Sequence, residues 1–326
     1  MRQPQESACA GEMPCDSTSL VCPACGAADL RNWMRGADRF NGRTELYYLI
    51  RCTGCSLVTL GNPPPPSEMA QHYGAGYDRF IARAGEHSQE RWQARKNTVL
   101  KYKSGGALLD LGCSSGSFLK TMKAPEWRLF GIEMSTNAAQ EARACSGAQI
   151  FNGDILDADL PDESFDVVTC FDVLEHVYQP RKVMEQIWRW LKPGGILHLT
   201  VPNINSAAVR FFGSYWYGLE LPRHLTHFSP ESLQSIARSV RLSEVELSTS
   251  RYPAIEYSVR YVIDDLLRRV DITRTSLSSI PEPGIPRRIA RKAIRLGILP
   301  VAHFAISTLG SGECINAVFT RDALVH

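Results

Sequence analysis

The sequence contains the stretch Leu108-Leu-Asp-Leu-Gly-Cys-Ser-Ser-Gly-Ser-Phe-Leu119, in which an apolar strand runs into a glycine-rich turn and then into a helix. Gly112 would let the backbone turn sharply beneath a ligand, and Gly116 would let the start of the helix approach that ligand. The glycine spacing is neither that of a dinucleotide-binding fingerprint nor that of a P-loop, and the turn lacks a lysine for a phosphate. Asp110 precedes the turn, and its carboxylate would repel a pyrophosphate but attract a cation. The stretch therefore predicts a strand end that binds a cationic ligand.

Strands and helices alternate along the chain on both sides of this turn. Apolar runs predict strands at residues 107–111, 129–133, 149–151, 165–171 and 195–201, and helices after Gly116 and at residues 136–146 and 180–191. Such alternation implies a parallel sheet with helices on both faces, so the predicted fold class is α/β, a Rossmann-like doubly wound sheet. Farther along the chain, Ser229 is a candidate N-cap, residues 242–250 indicate a strand, and residues 314–320 indicate a closing strand.

Residues 104–202 resemble the class I S-adenosylmethionine (SAM)-dependent methyltransferases. A glycine-rich turn alone would also fit another nucleotide-binding fold, but five elements agree here in order. They are the turn, Glu133 at the end of the second strand, Asn152-Gly-Asp-Ile155, Phe165–His176 and Leu191–Gly195. The resemblance implies that Glu133 binds both ribose hydroxyls and that Asp154 and its neighbour contact the adenine. The residues expected to bind the cofactor in this part of the chain are Asp110, Gly112, Cys113, Gly116, Phe118, Glu133, Met134, Asp154, Ile155, Phe171 and Glu175.

Four cysteines form two CxxC pairs near the start of the chain. Cys22-Pro-Ala-Cys25 and Cys52-Thr-Gly-Cys55 each place two thiolates on a tight turn, and two such turns complete a tetrahedral four-cysteine zinc site. A redox function would need one CxxC in a strand–helix–strand context, which is lacking here. Because the protein fills all four ligand positions, we expect the zinc to be structural and not catalytic.

The composition divides the chain into five predicted segments. They are a disordered tail at residues 1–20, a zinc ribbon at 21–61, a linker with a helical cofactor lid at 62–103, the methyltransferase core at 104–250, and a C-terminal helical cap with the closing strand at 251–326. The linker begins with a stiff proline run and a helix predicted to start near Ser67. Ribbon, spacer and core together resemble bacterial zinc-ribbon methyltransferases, including sugar C-methyltransferases and enzymes of secondary pathways. That resemblance implies that Tyr73 and Tyr77 lie over the cofactor, although simple helix packing is the alternative.

Two histidines after the fifth strand are the candidate catalytic bases. His224 and His227 lie at the edge of the sheet where the acceptor should enter, and histidine titrates near neutral pH. The sugar C-methyltransferases carry a Glu-His pair here, whereas this chain has Arg223 before His224, which puts carbon methylation of a keto sugar in doubt. Packing of the loop ahead of the next helix is the alternative for both histidines. Glu175 and His176 could close the pocket or only cap the following helix.

The composition is that of a globular protein, with 326 residues, 44% hydrophobic residues and a formal net charge of +2. The near-balanced charge argues against a protein that binds long nucleic acid. No secretory signal and no apolar run long enough to span a membrane is recognised, so we expect a cytoplasmic protein. Basic stretches within residues 255–305 could touch an anionic membrane surface or form a solvated cap. The oligomeric state is not indicated.

The leading hypothesis is a methyltransferase that moves a methyl group from SAM to a small-molecule acceptor. The acceptor would be a sugar, a polyketide-like or a quinone-like intermediate, methylated at oxygen or carbon. The alternatives are a zinc-ribbon RNA methyltransferase and a non-catalytic SAM-binding scaffold. The RNA alternative is weakened because the fourth strand is not followed by the Asn-Pro-Pro-aromatic motif of base-amine methylation.

Overall fold

The computed structural model describes residues 20–73, 89–251, 255–269 and 312–322. A seven-stranded sheet forms the centre of this part of the chain. Its strands are β4 (Gly106–Leu111), β5 (Trp127–Glu133), β6 (Gln149–Asn152), β7 (Phe165–Phe171), β8 (Leu191–Pro202), β10 (Leu242–Ser250) and β11 (Cys314–Arg321). The closing strand predicted at residues 314–320 is therefore present. Tyr77 and the basic stretch at 287–295 lie outside the described residues.

The strands of this sheet lie in the order β6-β5-β4-β7-β8-β11-β10. The pairs from β6 to β8 are parallel, whereas β11 is antiparallel to both β8 and β10. The chain moves outward from β4 first through β5 to β6 and later through β7 to β8. The strand order therefore reverses between β4 and β7, which is where open α/β sheets bind ligands. The predicted α/β, doubly wound fold class is confirmed.

Helices cover both faces of the sheet. They are α1 (Pro66–Met69), α2 (Gln89–Tyr102), α3 (Ser117–Met122), α4 (Thr136–Ser146), α5 (Pro180–Trp190), α6 (Ala207–Phe212), α7 (Pro230–Ser239) and α8 (Ile255–Arg269). Side chains alternate along β4, so Leu108 packs in one apolar cluster with α2, α3 and α4, and Leu109 packs in another with α5 and α7. No helix in the described ranges is long and apolar enough to cross a membrane.

Two element boundaries differ from the predictions for local reasons. The helix α1 begins at Pro66 with Pro65 as its N-cap, so Ser67 lies inside the helix and not at its start. Proline suits the first helical turn, where its missing N–H is not needed. The turn predicted at Lys192–Gly195 lies within β8 as an irregularity in the pairing with β7, between Phe165↔Leu191 and Val167↔Ile196. By contrast, Ser229 caps α7 as predicted.

A second, four-stranded sheet carries the cysteine pairs. It consists of β1 (Leu30–Ala37), β2 (Leu46–Cys52), β3 (Val58–Leu60) and β9 (Thr226–His227), in that order and all antiparallel. The strand β9 comes from the segment that follows β8 in the chain. Thr59 Oγ1 and Leu60 N both donate to Leu225 O, at 3.1 and 3.0 Å. Backbone pairing thus joins the predicted ribbon to the predicted core.

Candidate functional site

Asp110 lies near the carboxyl end of β4, at the point where the strand order reverses. It is 4% exposed, and its Oδ1 accepts a hydrogen bond of 2.6 Å from Thr169 Oγ1 on the neighbouring β7. Burial raises the pKa of Asp110 to about 7, because removing the carboxylate from water disfavours its charged form. Near neutral pH this group can therefore change its charge when a cationic ligand binds.

The turn after β4 requires its two glycines for conformation and for space. Gly112 and Gly116 have φ angles of +61° and +79°, in the left-handed region. A Cβ at Gly112 would lie 2.5 Å from Val173 Cγ2, and one at Gly116 would lie 2.8 Å from Ala142 Cα in α4. Cys113, between them, is buried, and burial raises the pKa of its thiol. It therefore stays an uncharged side chain within the turn.

Glu133 ends β5, one strand away from Asp110. Its two carboxylate oxygens accept hydrogen bonds from Ser114 N at 2.9 Å and from Ser135 N at 2.8 Å. Asn152 Nδ2 donates to the backbone oxygens of Glu133 and Met134, at 2.8 and 3.0 Å. These contacts fix the strand tip and the side chain of Glu133, while Met134 is 71% exposed beside it.

The loop after β6 supplies the third predicted carboxylate. Asp154 is exposed, and its Oδ1 accepts a hydrogen bond of 2.8 Å from Leu156 N, which caps the 3-10 turn Ile155–Asp157. Ile155 is buried beneath it. Asp110, Glu133 and Asp154 thus follow three adjacent strands, and no described Lys or Arg forms an ion pair with them. Arg95 acts on Asp110 through its charge but is itself paired with Asp172, so this set of hydrogen-bond acceptors fits the hydroxyls and positive charges of SAM better than a phosphate.

Phe118 and Phe171, two further predicted cofactor residues, pack against each other. Their rings meet edge to face at 5.0 Å. The guanidinium of Arg95 lies 4.2 Å from the centroid of Phe171, and its Nη2 is 2.8 Å from Asp172 Oδ2. Both rings are more than nine-tenths buried. They hold α2 and α3 at the end of β7, and contact with a cofactor stays a prediction for them.

Glu175, His176 and His224 form a cluster beyond the end of β7, in which Glu175 and His224 are buried and His176 is half-buried. One ligand-type atom of each lies within 4.8 Å of the others, and the two imidazole centroids are 4.6 Å apart. His176 Nδ1 lies 3.0 Å from the Tyr73 hydroxyl and 3.1 Å from Arg223 O. His224 Nδ1 lies 2.9 Å from Gly218 O. The structure therefore brings together three of the residues predicted for the cofactor or acceptor, Tyr73, Glu175 and His224, and adds His176.

Burial controls the charge state of this cluster. It raises the pKa of Glu175 well above its ordinary value and lowers the pKa of His176 and of His224. Both imidazoles are therefore neutral at neutral pH. His176 was not among our predicted bases, although its position directly after the fourth predicted strand, Leu174-Glu-His176, was a usable signal.

His227, the second predicted base, lies apart from the cluster. Its ring centroid is 6.2 Å from that of His224, and its Nε2 lies 3.0 Å from Leu219 O. Burial lowers its pKa to about 4, and its backbone pairs with Val58 in the four-stranded sheet. These contacts favour a packing role for His227 over proton transfer.

Arg223, which replaces the glutamate of the sugar C-methyltransferase motif, is fully buried. Its Nε lies 3.3 Å from Glu220 Oε2, its Nη1 lies 3.8 Å from Asp38 Oδ1, and Nη1 also donates to His72 O at 3.2 Å. Asp38 belongs to the loop after β1. The guanidinium therefore links the cysteine-bearing sheet to the loop that carries His224.

The four cysteines of the CxxC pairs meet as predicted. Cys22 and Cys55 are 3.5 Å apart at Sγ, as are Cys25 and Cys52, and all four sulfurs lie within 4.8 Å of one another. None of the four forms a disulfide. A tetrahedral zinc ion with Zn–S bonds of about 2.3 Å would place its sulfurs about 3.8 Å apart, so the donor set fits that ion.

The reversed strand order and the carboxylates at the ends of β4 and β5 define a class I methyltransferase architecture. Residues 84–243 match the family described as "Methyltransferase domain". This part of the chain therefore contains a methyltransferase domain, as its five ordered motifs indicated.

Curated relatives of this domain are named ubiquinone biosynthesis O-methyltransferases. The one from Idiomarina loihiensis is 29% identical over 147 residues, which cover 43% of this chain and 58% of that protein. The one from Pseudomonas fluorescens is 31% identical over 153 residues, which cover 43% of this chain and 66% of that protein. The chain thus spans less than two thirds of the length of these relatives.

Solved structures of methyltransferases are also similar to the chain. A SAM-dependent methyltransferase from Thermotoga maritima aligns with a TM-score of 0.49 and 17% identity, covering 76% of this chain and 99% of that one. One from Archaeoglobus fulgidus aligns with a TM-score of 0.49 and 16% identity, covering 75% and 99%.

Proposed function

We propose that the protein is a SAM-dependent O-methyltransferase whose acceptor is a small, quinone-like molecule with a phenolic hydroxyl. The observation that carries this proposal is the position of the Glu175–His176–His224 cluster. It lies beyond the end of β7, whose neighbour β4 bears Asp110, and β5 with Glu133 is the next strand after β4. A cationic donor and a hydroxyl acceptor could then meet at one edge of the sheet. The names of the curated relatives favour a quinone-like acceptor and methylation at oxygen.

The predicted cofactor residues would bind SAM in an extended form along this edge. Bound SAM supplies an electrophilic methyl group on its sulfonium. Glu133 is held by two backbone amides and keeps free lone pairs for the ribose hydroxyls. Asp110 would face the positive charge, and Asp154 with Ile155 would contact the adenine. Tyr73 and Tyr77 would cover the ligand, in keeping with the position of Tyr73 against His176.

The acceptor hydroxyl must lose its proton as the new carbon–oxygen bond forms. His176 and His224 suit this task because burial keeps both neutral. Each lies near a backbone carbonyl through Nδ1, and a carbonyl can only accept a hydrogen bond. A proton on Nδ1 satisfies that carbonyl and leaves the Nε2 lone pair to accept a proton; at His176, Nδ1 also lies 3.0 Å from the Tyr73 hydroxyl.

We also propose that the cysteine quartet binds a structural zinc ion. The four sulfurs fill a tetrahedral site, so no position is open for a substrate. The ion would join the turn of residues 22–25 to the end of β2. It would stabilise this small sheet, whose apolar core is limited.

Binding and turnover measurements on matched variants test the proposed activity. Titration calorimetry should give SAM binding to the wild type, and mass spectrometry should give addition of one methyl group to a catechol with an alkyl chain. We expect Glu133→Gln to weaken SAM binding by about tenfold or more, because a neutral amide is a poorer acceptor for two hydroxyls. Asp159→Asn, which changes an exposed carboxylate outside the predicted cofactor residues, is the control. Wild-type affinity in Glu133→Gln, or SAM binding without methylation of any hydroxylated aromatic, would contradict the proposal.

A further inference from the structure

The cluster at the end of β7 contains one carboxylate and two imidazoles, a donor set that proteins use to bind divalent metal ions. Glu175, His176 and His224 each offer a ligand atom, and these atoms lie within 4.8 Å of one another. The same spacing holds for the four sulfurs of the cysteine quartet. Two imidazoles and a carboxylate leave open positions on the ion for a substrate oxygen.

The two imidazoles are oriented as metal ligands usually are. His176 Nδ1 lies 3.1 Å from Arg223 O, and His224 Nδ1 lies 2.9 Å from Gly218 O. Metal-binding histidines commonly donate one ring N–H to a carbonyl or carboxylate, which leaves the other nitrogen for the ion. With Nδ1 near a carbonyl, Nε2 is the ring nitrogen that each imidazole can offer to an ion, and His224 Nε2 lies 3.7 Å from Glu220 Oε2, a second carboxylate beside the cluster.

The carboxyl group of Glu175 is the third ligand in this cluster. Its side chain is almost fully buried at 1% exposure, and neither oxygen has a hydrogen-bond partner among the described residues. An unpaired buried carboxyl group is unfavourable because it has lost its hydrogen bonds to water, so such groups normally have a partner. A cation between Glu175 and the two imidazoles would satisfy both oxygens and both nitrogens.

We propose that Glu175, His176 and His224 bind one divalent transition-metal ion that coordinates the oxygen of the acceptor hydroxyl. Imidazole favours Zn2+, Co2+ or Fe2+ over Mg2+, which prefers oxygen ligands. The role of the ion in catalysis rests on the proposed function, whereas its binding does not. The two histidines then act as ligands, and the ion takes over the activation of the hydroxyl.

The ion would change how the acceptor loses its proton. A hydroxyl bound to a divalent cation has a lowered pKa, so the O–H bond breaks on binding and the proton passes to solvent. The metal-bound oxyanion then attacks the methyl carbon. The new C–O bond forms as the S–C bond breaks, giving the methyl ether and S-adenosylhomocysteine. Charge is conserved, because the oxyanion and the sulfonium neutralise each other.

Cobalt titration of the full chain tests the site directly. The protein is first loaded with one equivalent of Zn2+ for the cysteine quartet, and Co2+ alone is then added. We expect a second equivalent to bind with visible d–d absorption and without the thiolate-to-cobalt charge-transfer band that a cysteine site gives. Glu175→Gln and His224→Asn should each weaken this binding by about tenfold to a hundredfold or more. His227→Asn removes a buried imidazole outside the cluster and should leave the second equivalent bound.

SAM affinity is measured on the same samples, so the result for the metal site can be separated from the result for the proposed methyltransferase function. The proposed metal site is overturned if the zinc-loaded protein binds no cobalt. It is also overturned if wild type, Glu175→Gln and His224→Asn bind cobalt with equal affinity. Methylation by such a protein would leave the proposed function standing. A second cobalt equivalent in a protein that does not bind SAM would support the metal site and contradict the proposed function.

Discussion

At the scale of single residues, the site is defined by carboxylates in different environments. Asp110 is buried beside Thr169, whereas Glu133 is held by the backbone amides of Ser114 and Ser135. The two carboxyl groups therefore differ in what their surroundings change. Burial away from water changes the pKa of Asp110, whereas the two backbone amides fix the orientation of Glu133. The buried carboxyl group of Asp110 should make cofactor binding depend on pH near neutrality.

Asp110 predicts a pH dependence of SAM affinity. Burial raises its pKa to about 7, so the carboxyl group is neutral below that pH and ionised above it. A cationic ligand prefers the ionised form, so affinity should rise as pH increases from about 6 to about 8, by up to about tenfold per pH unit below the pKa. Calorimetric titration across this range measures the slope.

The matched variant for this prediction is Asp110→Asn. It should bind SAM more weakly and with little change in affinity over the same pH range, because the amide does not titrate. In the ligand-free protein, the contribution of Asp110 to folding stability changes with pH in the opposite direction to SAM affinity. A carboxyl whose folded pKa is raised favours the folded state at low pH, and that contribution is lost as pH rises through about 7. A flat wild-type affinity profile would show that Asp110 does not face the charge of the ligand.

Sequence reasoning located residues of this kind only where a motif fixed their position. Asp110 and Glu133 stand at the ends of strongly apolar strands, so their place at the sheet edge followed from the strand pattern. The position of His176 after the fourth predicted strand was a usable signal, but nothing in the sequence near it indicates the approach of His224, 48 residues later. Contacts of that range depend on the tertiary fold and not on spacing.

At the scale of elements, the turn between β4 and α3 is closely packed at both of its glycines. Gly112 combines a φ angle of +61° with the close approach of Val173, which begins the segment leading to Glu175. Gly194, in the irregular part of β8, has a φ angle of +75° but no atom within 4 Å of its missing Cβ. A comparison of substitutions at these two glycines therefore distinguishes the cost of backbone strain from the cost of steric overlap.

Alanine at these two positions should differ in cost. We expect Gly194→Ala to lower the free energy of unfolding by about 1 kcal/mol, from the left-handed backbone alone. Gly112→Ala should cost about 1–3 kcal/mol more, because its Cβ would overlap Val173. Urea denaturation measures both, and Val173→Ala should recover part of the loss only in the Gly112→Ala background. Equal costs for the two alanines would refute the packing argument.

The pattern of apolar residues predicted the long helices and strands well and the short ones poorly. The strands from β4 to β7 and the helix α4 lie close to their predicted positions, because each carries a clear periodicity and, for α4, the Ser135 cap. The two-residue strand β9 has no periodicity to detect. The register change in β8 was likewise hidden, because the glycines at 194 and 195 indicate a turn as readily as an irregular strand.

At the scale of the whole molecule, the cysteine-bearing sheet and the acceptor cluster form one connected structure. Leu60 N donates to Leu225 O at 3.0 Å, and Leu225 N donates to Glu175 O at 2.8 Å. Arg223 adds a buried link between Glu220 and Asp38. Composition had suggested separate segments at residues 21–61 and 104–250, since backbone pairing between distant segments leaves no trace in composition.

Loss of the zinc ion should therefore loosen the acceptor cluster more than the cofactor site. In Cys25→Ser we expect amide hydrogen exchange at Leu60 and Leu225 to rise by about tenfold or more, because the sheet loses a metal that couples to its folding. SAM affinity, which depends on β4 and β5, should change less. Exchange mass spectrometry and calorimetry on one preparation measure the two effects.

The conservative variant Cys25→His is the control, because three cysteines and one histidine also form a structural zinc site. It should restore slow exchange at both amides. Unchanged exchange in Cys25→Ser, at a confirmed loss of zinc, would mean that the strand pairing holds this sheet without the metal.

The pairing of β3 with the segment before β9 also sets an order of events during synthesis. Thr59 hydrogen-bonds to Leu225, 166 residues later in the chain. At about 5–20 residues per second, a ribosome needs roughly ten to thirty seconds to make that stretch. Through that interval the nascent metal-binding hairpin has an open edge, so a chaperone or an early metal ion would be of greatest use before the methyltransferase domain has emerged.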